Sequence, residues 1–212
     1  MTGITPLIDG YRRFKKTGWD DQRERWETLA KGQSPKIMII ACSDSRVDPA
    51  TIFDVAPGQT FVVRNVAALV PPYETGGGFH GVSSAIEFAV TQLEVTDVLV
   101  LGHASCGGCK AALSRTFEGS DHGHGAFIDS WISMLADVRD EVIAEKGPDA
   151  GAEAVTEMEH RAVGVSLDNL KTFPFVQDRL DDGRLKLHGA WFGIAEGDLL
   201  VRDPETGAFN PA

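Results

Sequence analysis

The chain has 212 residues, 42% of them hydrophobic and 24% charged, with 20 Lys and Arg against 31 Asp and Glu for a formal net charge of −11. At this length about 70% of the extended-chain surface can be buried without disulfides, and the composition is that of a globular protein rather than a disordered one. The negative field argues against a nucleic-acid or anionic-membrane partner, and three Cys, an odd count, speak against a disulfide framework and for the cytoplasm.

The N-terminus shows no basic region followed by an apolar stretch, so no signal peptide is expected. Residues 4–30 carry a helical period through Leu7, Ile8, Tyr11 and Phe14, a break at Gly18, then Trp19, Trp26 and Leu29. This amphipathic arm packs either on a partner subunit or on its own sheet. Apolar runs at 36–41, 60–64 and 97–102 are too continuous for a half-solvated sheet and suit parallel strands covered on both faces. They fall far short of the ~20 residues that span a bilayer. A helical period at 83–93 gives the order strand, connection, strand, helix, strand. Two more helices are expected over 124–146 and 150–180. Leu185–Ile194 and Leu199–Arg202, separated by Ala195-Glu196-Gly197-Asp198, read as a terminal hairpin. The chain thus reads as one α/β domain over 1–212, an arm at 1–34 and a core at 35–212. Its expected centre is a mostly parallel sheet of about four strands with an antiparallel C-terminal edge strand and helices on both faces.

Cys42 follows the first buried strand, and His103 and Cys106 follow the third. In open α/β sheets, residues just past the carboxyl ends of neighbouring strands converge on one crevice. Two thiolates and one imidazole there make a Cys₂His set that leaves the fourth tetrahedral position free, as catalytic zinc sites do. The bland reading is that the cysteines are small buried hydrophobes. A rival reading takes Cys106-Gly107-Gly108-Cys109 as a redox pair or half of a structural zinc site, although no second Cys pair exists to complete it. Gly107 and Gly108 allow close backbone approach and expose N–H donors at a helix start. Asp44 and Arg46, two and four residues past Cys42, either brace a turn or form a carboxylate acceptor of fixed direction beside the metal.

Ala41-Cys42-Ser43-Asp44-Ser45-Arg46-Val47 together with Gly102-His103-Ala104-Ser105-Cys106-Gly107-Gly108 resembles the signature pair of the β-class carbonic anhydrases. Lys31–Pro35, Pro57–Ala67, Val70–Tyr73 and Ser84–Glu87 fit as well, so the resemblance covers most of the chain. It implies reversible hydration of carbon dioxide to bicarbonate and a proton through a zinc-bound hydroxide. One Zn²⁺ per chain would sit on Cys42, His103 and Cys106, with Asp44 and Arg46 as the catalytic dyad. Gln33, Phe61 and Val66, with Gly107 and Gly108, match the substrate pocket. That pocket forms at a dimer interface, so Gln33, Phe61 and Val66 would act on the partner's zinc, in a homodimer or a dimer of dimers.

The departures from the family pattern carry information too. Members regulated by a non-catalytic bicarbonate hold it with a Trp, an Arg and a Tyr; the counterparts here are Ile39, Arg64 and Phe192. Asp44 is therefore expected to stay paired with Arg46 rather than close the metal. Where plant-like members place a Tyr and a His, this chain has Phe88 and Gln92, which leaves His80 as a candidate proton shuttle against the reading of an exposed loop histidine. Asp121-His122-Gly123-His124 reads as a helix-capping loop or a stray metal site. The rival functions are hydrolysis of carbonyl sulfide or carbon disulfide, and a zinc-bearing bicarbonate sensor without turnover.

Overall fold

A computed structural model describes residues 3–147 and 151–212. The chain forms two compact units, one ending at Ser34 and the other beginning at Pro35.

The N-terminal unit holds three short helices, α1 (Thr5–Lys16), α2 (Gly18–Asp21) and α3 (Arg23–Leu29), with no buried residue in any of them. The break falls at Thr17, whose φ of −125° and ψ of −72° leave the helical region just before Gly18. Phe14 meets Trp26 edge to face at 5.8 Å, while Leu7, Ile8 and Tyr11 stay exposed along α1.

The core unit is built on a six-stranded sheet of order β2-β1-β3-β4-β5-β6, with β1 (Ile37–Cys42), β2 (Thr60–Asn65), β3 (Asp97–His103), β4 (Lys186–Phe192), β5 (Leu199–Arg202) and β6 (Phe209–Pro211). The first four strands are parallel, and β5 and β6 are antiparallel additions. The sequence reading of about four strands with one antiparallel edge strand is corrected to six. β6 is only three residues and contains Pro211, which an edge position tolerates and an apolar-run search does not see.

Alternation along the central strands fills two faces. Met38, Ile40, Val98 and Val100 join Val163, Leu167 and Leu170 in one buried cluster, and Ile39, Ala41, Leu101 and Ala190 form another with Ile52 and Phe53 against it. The first face is covered by α5 (Gly81–Glu87), α9 (Gly151–Lys171) and α10 (Pro174–Asp181), the second by α4 (Pro49–Ile52).

Several expected helices divide. The 83–93 segment runs as α5 and then a π turn over Phe88–Gln92, which Leu93 N–H closes onto the Phe88 carbonyl at 3.0 Å. The 124–146 segment begins at Ala126 and passes through a 3₁₀ turn at Ser133–Leu135 between α7 (Ala126–Ile132) and α8 (Ala136–Lys146). The 150–180 helix is corrected to two, because Phe173 precedes Pro174 and takes an extended conformation, as the residue before proline must; its expected first residue, Ala150, lies outside the described residues. Among the described residues no helix is long and apolar enough to cross a membrane.

α9 lies on β3 and β4 through glycines. A Cβ on Gly102 would stand 2.8 Å from Val163 Cγ2, and one on Gly189 2.8 Å from Val163 Cγ1. Neither glycine has a positive φ, so the requirement is steric. Gly102→Ala and Gly189→Ala are each expected to destabilise the fold by about 1–3 kcal/mol through overpacking, which urea denaturation followed by circular dichroism reads directly.

Candidate metal centre

β1 and β3 are parallel neighbours, with Ala41 opposite Leu101. The connection after β1 runs to β2 on one side and the connection after β3 runs to β4 on the other, which makes their carboxyl ends a topological switch point. Cys42 closes β1 and His103 closes β3. Cys106 is the N-cap residue of α6 (Gly107–Leu113), so one tight turn separates it from His103. Their ligand atoms all lie within 4.8 Å of one another, and all three residues are buried. Among the described residues this is the one group of His, Cys, Asp and Glu side chains that converges in this way.

The donor set fits zinc. His103 Nδ1 lies 2.9 Å from the Ala104 carbonyl, which can only accept, so Nδ1 carries the proton and Nε2 presents a lone pair. That Nε2 is buried with no hydrogen-bond partner, the orphaned atom a metal would satisfy. Without a metal, neighbouring thiols and burial suppress the ionisation of both cysteines. Contact with Cys106, then burial, pushes Cys42 up to about 12, and contact with Cys109, with burial in the same direction, pushes Cys106 up to about 12. Metal binding therefore releases protons. All three cysteines are free, and Cys109 is packed in α6, outside the converging group.

The segment leaving Cys42 holds the dyad. Arg46 donates from Nε to Asp44 Oδ1 at 2.9 Å and from Nη2 to Oδ2 at 2.7 Å, while its backbone N–H reaches Oδ1 at 3.0 Å. The guanidinium holds the Asp44 carboxyl well below the usual carboxylate range. The same Nη2 donates to the Ser105 carbonyl at 3.1 Å, tying the turn after β1 to the turn after β3. Arg64, on β2, donates to the carbonyls of Cys42, Asp44 and Val47 at 2.8, 2.6 and 3.1 Å. The position that matches a bicarbonate-holding Arg in the regulated members is here a strut for the dyad turn.

The family model for carbonic anhydrase matches residues 37–199. Beta carbonic anhydrase 3 of Arabidopsis thaliana is 34% identical over 208 residues, which is 97% of this chain and 80% of that one. The chain is a β-class carbonic anhydrase by family. Among solved structures, the β-carbonic anhydrase CcaA superposes with a TM-score of 0.90 at 31% identity over the whole of both chains. A tetrameric β-carbonic anhydrase of Sordaria macrospora superposes with a TM-score of 0.81 at 28% identity over 98% of each.

Beyond the three converging residues and the Asp44–Arg46 pair, the residues expected to line a substrate pocket divide in this chain. Val66 and Ala67 stand against Gly108, where an added Cβ would meet Ala67 Cβ and Val66 Cγ1 at 2.9 Å. Val66 therefore borders the metal turn of its own chain. Gly107 has nothing within 4 Å of such a Cβ, so its backbone faces open space. Phe61 sits opposite Met38, four residues along β2 from Asn65, which is opposite Cys42; it packs on Phe88 at 5.8 Å, away from its own chain's ligands. Gln33 belongs to the N-terminal unit and is exposed. His80 Nε2 is tied to the Gly76 carbonyl at 3.0 Å, and His122 packs on Phe127 at 5.6 Å.

Glu159 of α9 escaped the sequence reading. It is buried, takes the Cys106 N–H at 2.8 Å on Oε1 and the Trp191 indole N–H at 3.0 Å on Oε2, and burial pushes its carboxyl up. The 53 residues between it and Cys106 leave no local pattern to find it by.

The two glycines should separate in stability. Gly108→Ala must displace Val66 and Ala67 and is expected to lower stability by about 1–3 kcal/mol, whereas Gly107→Ala has room and is expected to leave the thermal midpoint within about 1–2 °C; differential scanning calorimetry of both variants checks this.

Proposed function

We infer that this chain hydrates carbon dioxide reversibly to bicarbonate and a proton, with Cys42, His103 and Cys106 as zinc ligands and Asp44 with Arg46 as the dyad beside them. The observation that carries the reading is an aimed carboxylate next to three protein ligands. A structural zinc is closed by four, and it has no use for an acceptor fixed by three hydrogen bonds. Zinc on these ligands supplies a Lewis acid that makes water nucleophilic near neutral pH.

The chain's own residues supply direction. Arg46 fills both lone pairs of Asp44 Oδ1, through Nε and its backbone N–H, and one of Oδ2, which leaves Oδ2 a further lone pair. That lone pair accepts a hydrogen bond from the attacking oxygen and so turns the oxygen's own lone pair toward the carbon. Because Arg46 keeps Asp44 ionised, the carboxylate accepts without consuming the proton that the reaction releases to buffer. Gly107 presents open backbone to the product anion, and Val66 gives carbon dioxide an apolar wall. Arg64 keeps the Cys42–Val47 turn from opening when the dyad is loaded.

Gln33 and Phe61 enter the pocket from a second copy. Phe61 lies far from its own chain's ligands along β2, and the exposed Leu7, Ile8 and Tyr11 of α1 give the arm an apolar face for a homodimer. A dimer of dimers is the larger assembly this reading extends to, and a relative of known structure is tetrameric. Three buried, unpaired cysteines support the cytoplasm as the compartment.

Stopped-flow carbon dioxide hydration with a pH indicator, paired with zinc content per chain, tests the assignment. Cys42→Ser and Cys106→Ser are expected to lose zinc and activity together. Asp44→Asn is expected to keep about one zinc and lose about 10²-fold in kcat/KM, within the range for a positioned proton acceptor, because its amide N–H₂ cannot accept. A fully active Asp44→Asn protein would remove the dyad from the mechanism, and a zinc-loaded wild type inert on carbon dioxide but active on carbonyl sulfide would change the substrate.

A further inference from the structure

Val66 is followed by a backbone feature that nothing in its own sequence requires. Ala67 has φ 62° and ψ 18°, and Ala68 has φ 55°. Both lie in the left-handed region that L-residues avoid, and they are the one adjacent non-glycine pair to do so among the described residues. Strain of this kind persists only where surrounding contacts over-determine it.

Those contacts are present, and they come from four side chains on three elements. Asn65 bridges the turn, donating from Nδ2 to the Leu69 carbonyl and accepting the Leu69 N–H on Oδ1, both at 2.8 Å. Trp131 of α7 donates its indole N–H to the Val66 carbonyl at 2.9 Å. Ser166, fully buried in α9, donates to the Ala68 carbonyl at 3.1 Å and accepts the Val70 N–H at 3.2 Å. Asn169, one turn further, donates to the Val70 carbonyl at 2.8 Å. The carbonyls of Val66, Ala68, Leu69 and Val70 are thereby each held by a side chain.

Glycine would adopt the Ala67 conformation freely, yet the position carries a methyl group. That methyl stands against Gly108 and belongs to the buried cluster that contains Cys42 and Cys106. An alanine forced left-handed keeps the turn against α6 and directs the Val66 side chain outward from it, where Val66 is 39% exposed beside the metal turn.

We propose that Trp131 and Ala67 are positioning residues for the substrate wall: they fix Val66 at a set distance from the ligand turn, and so determine how well carbon dioxide is held there. The proposal rests on the reading of Val66 as that wall. Neither residue touches the ligands, so zinc content is not expected to change. What changes is binding of an apolar substrate, which appears in kcat/KM rather than in kcat.

The test uses the full-length zinc protein and two variants that keep the fold. Trp131→Phe keeps an aromatic six-membered ring and removes the donor together with the five-membered ring that carries it. Ala67→Gly takes the existing backbone conformation without strain and removes only the methyl. Each is expected to lower kcat/KM for carbon dioxide about 5-fold or more, with kcat within about 2-fold of wild type and one zinc per chain. Amide exchange read by NMR is expected to speed up at Leu69 and Val70 in Trp131→Phe. Wild-type kcat/KM in both variants overturns the proposal, and so does a parallel loss of kcat, kcat/KM and zinc, which is the mark of a merely structural role. An inert wild type would instead defeat the functional reading, and the exchange measurement then still decides the positioning claim: unchanged rates at Leu69 and Val70 overturn it.

Discussion

The parallel pairing of β1 with β3 is the constraint from which the site follows. In-register pairing carries Ala41 opposite Leu101, so the chain leaves both strands at the same level and within reach of the same point. Cys42 and His103 are the last residues of those strands. Their approach therefore costs no loop ordering beyond what the sheet already imposes. Cys106 follows because α6 begins at once, with Gly108 free of a side chain that would crowd Val66 and Ala67. The packing that makes the sheet stable also shapes the chemistry, since thiol contacts and then burial raise both cysteines, and His103 Nε2 is left buried without a partner.

Charged groups then hold the turns that the sheet leaves free. Arg46 spans from Asp44 to the Ser105 carbonyl, Arg64 gathers three carbonyls of the turn after β1, and Glu159 takes the Cys106 N–H from behind. Ser105, with φ 57°, is a left-handed non-glycine residue gripped from both sides. The Arg46–Ser105, Arg64–Asp44 and Glu159–Cys106 contacts join segments that are distant in sequence and tie the Asp44 turn to the Cys106 turn. Asp44 owes its fixed direction to this bracing, and an acceptor that wandered would not select one orientation of the attacking oxygen.

Much of the site was legible in the sequence because its residues cluster at strand ends. Apolar runs located β1, β2 and β3 to within a residue or two, and Cys42, His103 and Cys106 fall where those runs stop. The dyad was legible for the same reason, since Asp44 and Arg46 are neighbours and their pairing needs only a tight turn. Contacts across long separations were not legible. Glu159 lies two turns before Ser166 on one helix, and each meets a different loop through side-chain hydrogen bonds that no periodicity marks. Arg64 was read by its family counterpart and proved to be a strut. The split at Phe173-Pro174 could have been read from the proline alone, whereas no residue in Phe88–Gln92 marks the π turn after Glu87.

The account turns on Asp44 belonging to Arg46 rather than to the metal. A crystal structure of the zinc-loaded protein at pH 7 tests this most directly. The expected result is zinc on Cys42, His103 and Cys106 with both Asp44 oxygens still hydrogen-bonded to Arg46. An Asp44 oxygen bonded to zinc, with the Arg46 guanidinium swung away, would contradict it.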